Sequence, residues 1–268
     1  MIHDAALLPL EFLKLLAHDV RWQLLAALAE SDRRVQELVE RLQRPQNLIS
    51  YHLRLLREGG VVQERRSNAD GRDVYYSLDL EQLRALYRES GQMLHPALAY
   101  ERTGLVGVAG EAGEGMGGKR PFRILFLCTH NSARSQLAEG ILRATGGSRV
   151  EVASAGNEPG RVHPLAIRAA AAITLDISQQ QSTPLDEFTG QNFDYVITVC
   201  DKVREVCPVF PGDPQQIHWS IADPAAVVGT EEEKFQAFLQ TARELTTRIS
   251  YLRLMIERQA NNHATVQT

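Results

Sequence analysis

The feature that most constrains this chain is Cys128-Thr129-His130-Asn131-Ser132-Ala133-Arg134-Ser135, set between "RILFLC" and "SQLAEGILRAT". The first flank is a short apolar run of the kind that forms a buried parallel strand. The second flank has a helical pattern, with Leu137, Ile141 and Leu142 on one side. A cysteine, five residues and an arginine at a strand-to-helix turn can wrap a tetrahedral oxyanion. Backbone N–H groups converge on the anion at the helix N-terminus, and Arg134 supplies a bidentate fork. The same field favours a nucleophilic thiolate at Cys128. A bare Cys-x5-Arg arises often by chance. The strand before it, the helix after it and the serine following the arginine make it specific. The competing reading, a buried structural cysteine beside a surface arginine, accounts for none of that placement.

The 268 residues are comfortable for two domains. Composition shifts between residues 101 and 120, where "ERTGLVGVAGEAGEGMGGKR" is glycine-rich and lacks an apolar period, as a flexible linker does. The sequence therefore divides into a mostly helical domain over residues 1–100, the linker 101–120, an α/β domain over 121–260 and a flexible tail over 261–268. The formal net charge of −4 excludes a polycation, so nucleic-acid binding has to come from a local patch. No apolar run reaches the roughly 18 residues of a membrane span, and the N-terminus has no basic region typical of a signal peptide. The three cysteines are too few and too odd for a secreted disulfide framework. A cytoplasmic protein without membrane association is expected.

In the first domain, Phe12, Leu15, Leu16, Val20, Leu24, Leu25 and Leu28 recur at helical spacing, and Asp19 is placed to cap a second helix. "VQELVERL" reads as a short amphipathic helix. After a tight turn, Pro45 suits the first turn of "PQNLISYHLRLLREGG", which ends at a glycine pair. Gln46, Asn47, Ser50, Tyr51 and Arg54 fall on one face of that helix, opposite Ile49, Leu53 and Leu56. Hydrogen-bonding side chains on an exposed face suit a recognition helix in a major groove. Two β-prone runs around "NADG" then form a hairpin carrying Arg65, Arg66 and Arg72, which can reach phosphates or a minor groove. The bland alternative is a small helical domain with a charged hairpin.

The segment "LISYHLRLLREGGVV", in that order of elements, resembles the ArsR-type winged-helix repressors over about residues 8–95. The resemblance implies binding to double-stranded operator DNA and a homodimer joined through the first and last helices. Many members sense arsenite or metals through cysteines before the recognition helix. This domain has none, so a soft-metal site cannot form there. His52 and His95 read as packing or surface residues, and no metal ligand set is expected.

Further on, an apolar run ends at Cys200 in "FDYVITVCDKVREVCP", with Cys207 seven residues later. If the intervening "DKVREV" is helical, the two lie roughly 10.5 Å apart, whereas a disulfide needs Cα atoms within about 7 Å. A bond between them therefore requires that helix to unwind. "HWSIADPAAV" places Asp223 before a proline, as an acid on a mobile loop beside the anion site.

The anion loop resembles that of the low-molecular-weight phosphotyrosine phosphatase family, which includes the thioredoxin-coupled arsenate reductases. The resemblance covers about residues 122–256 and implies a four-stranded parallel sheet flanked by helices. It implies that Asn131 holds the loop's shape and that Ser135 hydrogen-bonds the Cys128 sulfur. A glycine is usual where His130 stands, and a second cysteine is frequent where Ala133 stands. All three cysteines fall where the reductases keep theirs. The implied reaction begins with Cys128 attacking arsenate while Asp223 protonates the leaving oxygen. Cys200 then displaces arsenite, Cys207 takes over the disulfide, and thioredoxin reduces it. No tightly bound cofactor is implied. Asn131, Glu139 and Ser154 match part of a potassium site found in some relatives, but Thr183 stands where its acid is expected. Two alternatives stay open. A phosphatase needs only Cys128, Arg134 and Asp223, but usually carries two aromatics where Ala225 and Ala226 stand. The second alternative is a non-catalytic oxyanion or redox sensor that controls DNA affinity.

Overall fold

A computed structural model describes residues 9–95 and 120–265, with side chains as far as residue 258. The segment read as a linker lies outside these residues except at Arg120. The chain divides into two compact units, Met1–Arg65 with Val74–Arg120, and Arg66–Asp73 with Pro121–Thr268.

The first unit contains α1 (Pro9–Leu16), α2 (Asp19–Glu30), β1 (Arg33–Arg34), α3 (Val35–Leu42), α4 (Gln46–Glu58), β2 (Val62–Arg66), β3 (Val74–Leu78) and α5 (Leu80–Leu94). The strands form a sheet in the order β1-β3-β2, with β1 antiparallel to β3. Phe12, Leu24, Leu38, Ile49, Leu53 and Leu56 are fully buried and form its core. The cap of α2 is His18, not Asp19: the His18 Nδ1 accepts the Val20 N–H at 3.2 Å. Asp19 lies one residue late, inside the first turn, where an acid still favours the helix dipole. Pro45 likewise stands just ahead of α4, at its N-cap. The glycine pair ends α4, with Gly60 in the left-handed region at φ 72° and the Val61 N–H returning to the Leu56 carbonyl.

The second unit is α/β: β4 (Phe122–Cys128), α6 (Arg134–Gly146), β5 (Val150–Gly156), α7 (Pro164–Ala172), β6 (Tyr195–Thr198), α8 (Asp201–Glu205), β7 (Gln215–His218) and α9 (Glu231–Thr265). Its four strands are parallel, in the order β5-β4-β6-β7. Ile124 to Leu127 of β4 are all fully buried, as a central strand covered on both faces requires. The sequence pattern gave α6 a single apolar side, yet every residue from Arg134 to Leu142 is buried. The helix packs against β4, β5, α7 and α9 at once, and its polar residues turn inward to serve the loop before it. α9 continues to Thr265, so the helix enters the segment read as a tail.

Candidate active site

The chain crosses from β4 to β5 on one side of the sheet and then to β6 on the other. A crevice therefore opens beyond the C-terminal end of β4, the usual ligand site of such sheets. Cys128 ends β4 there, and α6 starts at Arg134. The loop between them is held from outside by four consecutive carbonyls. Thr129 O accepts from Glu158 N at 2.9 Å, His130 O from Gly160 N at 2.9 Å, and Ser132 O from His163 N at 2.8 Å. Asn131 O accepts from Ser182 Oγ at 2.6 Å. In a trans peptide the C=O and the following N–H point in opposite directions. The N–H groups of residues 130 to 133 are thereby turned inward, which makes a nest for an anion.

Asn131 takes a φ of 44°, a left-handed conformation that asparagine tolerates better than most residues. It is fully buried and all its amide groups are used. Its Oδ1 accepts from Thr183 N at 2.7 Å and Gln136 Nε2 at 3.0 Å. Its Nδ2 donates to Ser135 Oγ at 2.9 Å and Ser154 Oγ at 2.7 Å. Ser135 Oγ in turn lies 2.8 Å from Cys128 Sγ. His130 does not need the glycine usual at its place, because the positive φ falls on Asn131. Its exposed ring turns outward, with Nδ1 3.2 Å from Glu158 O. Ser132 is half-buried and Ala133 buried.

At the end of β5, Gly156 presses on this loop: a Cβ there lies 2.6 Å from Thr129 O and 2.8 Å from Asn131 N. Backbone atoms cannot yield as a flexible side chain does. Gly156→Ala is expected to lower the melting temperature and to weaken phosphate binding at least about tenfold, about 1.4 kcal/mol. Calorimetric titration with inorganic phosphate measures this, and unchanged affinity refutes the close-packing argument.

Arg134 is 6% exposed and aimed by two anchors. Its Nη1 donates to Ile221 O at 3.0 Å, and its Nη2 lies 3.2 Å from Asp223 Oδ2. Asp223 caps a short turn, Pro224–Ala226, by accepting the Ala225 N–H at 3.1 Å. An arginine fork and a carboxylic acid thus share one side of the loop. Ala225 and Ala226 are exposed and supply no aromatic wall.

Cys200, at the N-terminus of α8, is buried with its Sγ 3.3 Å from Thr129 Oγ1, on the residue next to Cys128. Burial pushes its thiol upward, and the nearby Arg134 charge opposes this. Cys207 is half-buried, and burial pushes its thiol up to about 11. All three cysteines are free. The helix between the last two is shorter than the sequence pattern indicated. It spans Asp201–Glu205, so Val206 and Cys207 already lie outside it.

Two parts of the site were not legible beforehand. Gln136 had no motif to mark it, yet it holds Asn131. A buried cluster also sits beneath α8. Asp201 Oδ1 accepts from Ser220 Oγ at 2.7 Å and lies 3.2 Å from His218 Nε2, while His218 Nδ1 is 2.8 Å from Thr198 Oγ1. An acid directly after Cys200 and the "HWS" triplet were the only signals. The residues matched to a potassium site bond to neighbouring protein groups. One Glu139 oxygen accepts from Ser154 Oγ at 2.5 Å, and the other is taken by the Arg143 guanidinium. Thr183 offers its N–H to Asn131 rather than a carboxylate. Among the described residues no cluster of three or more metal-binding side chains occurs, and no helix is long and apolar enough to cross a membrane.

On α4 of the first unit, Gln46, Asn47, Ser50, Tyr51 and Arg54 are all exposed, opposite the buried Ile49, Leu53 and Leu56. Arg54 lies over the Tyr51 ring at 5.6 Å. On the hairpin, Arg65 is half-buried, Arg66 donates to Gly71 O at 3.1 Å, and Arg72 pairs with Asp70 at 2.7 Å. His52 is buried against the His18 ring, a packing role.

A parallel α/β sheet with a cysteine-arginine anion loop at its switch point defines an oxyanion-binding, cysteine-dependent enzyme class. Residues 123–262 match the model for low molecular weight phosphotyrosine protein phosphatases, and the chain belongs to that family. Residues 18–64 match the model for bacterial regulatory proteins of the arsR family. An arsenate reductase of Halalkalibacterium halodurans is 42% identical over 126 residues, covering 47% of this chain and 91% of the relative. An arsenate reductase of Bacillus subtilis is 40% identical over 126 residues, with the same coverage. Among solved structures, a Corynebacterium glutamicum thioredoxin-dependent arsenate reductase is 31% identical, covers 50% of this chain and 64% of its own, and has a TM-score of 0.37.

Proposed function

We propose that this chain is a two-part protein, a winged-helix DNA-binding regulator over residues 1–100 and an arsenate reductase over residues 121–260. The observation that carries the reductase reading is Cys200 Sγ lying against Thr129, beside Cys128, with a third thiol one short helix away. A phosphatase needs only the first cysteine.

In the proposed reaction the inward N–H groups of residues 130 to 133 and the Arg134 fork hold arsenate. The Cys128 thiolate attacks arsenic(V), and an oxygen leaves as water with the proton of Asp223. Cys200, deprotonated, attacks Cys128 Sγ. The S–As bond breaks, its electron pair stays on arsenic, and arsenite departs as arsenic(III). Cys207 then attacks Cys200, freeing the Cys128 thiolate, and the Cys200–Cys207 disulfide is reduced by a dithiol protein such as thioredoxin. The exposed face of α4 and the hairpin arginines read operator DNA. Exposed Tyr87, Met93 and Leu94 on α5 and Leu10 on α1 give a homodimer its apolar face. The two helices already pack together, with Phe12 of α1 and Leu86 of α5 buried in the same core.

The test is arsenate-dependent NADPH consumption by the full chain with thioredoxin and thioredoxin reductase. Steady turnover is the expected result. An inert chain that instead hydrolyses a phosphate ester through Cys128 makes the domain a phosphatase.

A further inference from the structure

Ser135 Oγ lies 2.8 Å from Cys128 Sγ, and that distance alone does not say which atom donates. The direction matters, because a hydroxyl stabilises a thiolate only when its proton points at the sulfur. The surrounding network settles it. Thr183 N–H can only donate, so the Asn131 atom facing it must be the amide oxygen. At the far end, Glu139 is already paired with Arg143, and a carboxylate only accepts. Ser154 therefore donates to Glu139 and accepts from Asn131 Nδ2. Both ends place Asn131 Nδ2 toward Ser135, whose oxygen accepts at 2.9 Å and whose proton is left for Cys128.

Gln136 completes this orientation from the first turn of α6. It is fully buried. Its Nε2 donates to Asn131 Oδ1 at 3.0 Å and to Gln181 O at 2.9 Å. The Gln181 carbonyl only accepts, so the Gln136 amide cannot reverse. Its Oε1, meanwhile, is buried and has no hydrogen-bond partner among the described residues. Leaving such an atom unsatisfied costs about 1–3 kcal/mol, so the amide is not kept for its own solvation. We infer that Gln136 is a positioning residue that, together with the Thr183 N–H and Glu139, holds the polarity of the Gln136–Asn131–Ser135 chain and so keeps the Ser135 proton directed onto the Cys128 thiolate. The inference rests on the reading of Cys128 as the nucleophile.

The experiment uses the full chain carrying Cys200→Ser and Cys207→Ser, in which Cys128 is the sole cysteine. The rate of alkylation by iodoacetamide is followed against pH for Gln136, Gln136→Glu and Gln136→Met. The glutamate matches the shape but has no donor for Asn131 Oδ1. The methionine has neither donor nor charge. The midpoint with Gln136 present is the reference. It is expected to rise by about one unit or more in Gln136→Glu and by a smaller amount in Gln136→Met, a loss of thiolate stabilisation near 1.4 kcal/mol per unit. Midpoints agreeing within about 0.3 unit overturn the inference. So does a shift confined to Gln136→Glu, which is then the added charge alone. If Gln136→Glu does not fold, Gln136→Met decides by itself. If Cys128→Ser in the otherwise unaltered chain leaves arsenate turnover intact, the reading of Cys128 as nucleophile fails instead.

Discussion

Arg134→Lys is expected to lower kcat/KM for arsenate by about a thousandfold, about 4 kcal/mol of transition-state stabilisation. Lysine keeps the positive charge, so the loss measures geometry. The guanidinium spends one nitrogen on Ile221 O and another beside Asp223, and its planar fork then presents the remaining N–H groups at fixed angles. An ammonium on a flexible stem cannot hold both anchors and clasp two oxyanion oxygens at once. It also leaves the Ile221 carbonyl without its donor and Asp223 without its close partner. The site that aims the acid is loosened together with the site that binds the anion. Steady-state kinetics should therefore show kcat falling more than KM rises, with the circular dichroism spectrum unchanged. A variant that keeps more than about a third of the activity shows that charge alone suffices.

The anion loop could be found in the sequence because its chemistry is local: eight consecutive residues between a strand pattern and a helix pattern. The same holds for α4, whose apolar and polar residues alternate at helical spacing and take the expected faces. What could not be read depends on tertiary placement. The carbonyls of Thr129, His130, Asn131 and Ser132 are held by Glu158, Gly160, Ser182 and His163, partners drawn from two separate later segments. Gln136 looks like an ordinary helix residue until α6 is seen to be buried on all sides. The extent of α8 escaped for a different reason. "DKVREV" itself has no residue that forbids helix, but Pro208 disfavours helical backbone at Cys207, and the helix ends at Glu205 with Val206 as its C-cap. Asp19 failed as a cap by a single position, which is within the ordinary uncertainty of helix ends.

Cys200→Ser is expected to abolish arsenate turnover while hydrolysis of a phosphate ester stays within about threefold of wild type. Ester cleavage needs the inward N–H groups, Cys128, Arg134 and an acid, and Cys200, although within electrostatic reach of Cys128 and Arg134, supplies none of them. Reduction differs, because an electron pair must reach arsenic from a second sulfur. In Cys200→Ser no arsenite should appear. In Cys207→Ser about one equivalent should be released per chain, since Cys200 can still displace it, and the chain should then stall as a Cys128–Cys200 disulfide. Arsenite release in a single turnover, with disulfide mapping by mass spectrometry, distinguishes the two. The short α8 makes the third step feasible, because Cys207 lies beyond the helix and approaches Cys200 once that helix unwinds. Burial holds both thiols above their ordinary range. The disulfide steps should thus quicken as pH rises from 7 toward 9, as more of each thiol ionises. Stoichiometric arsenite from Cys200→Ser removes Cys200 from the relay and leaves Cys207 or an external thiol as the direct reductant of Cys128.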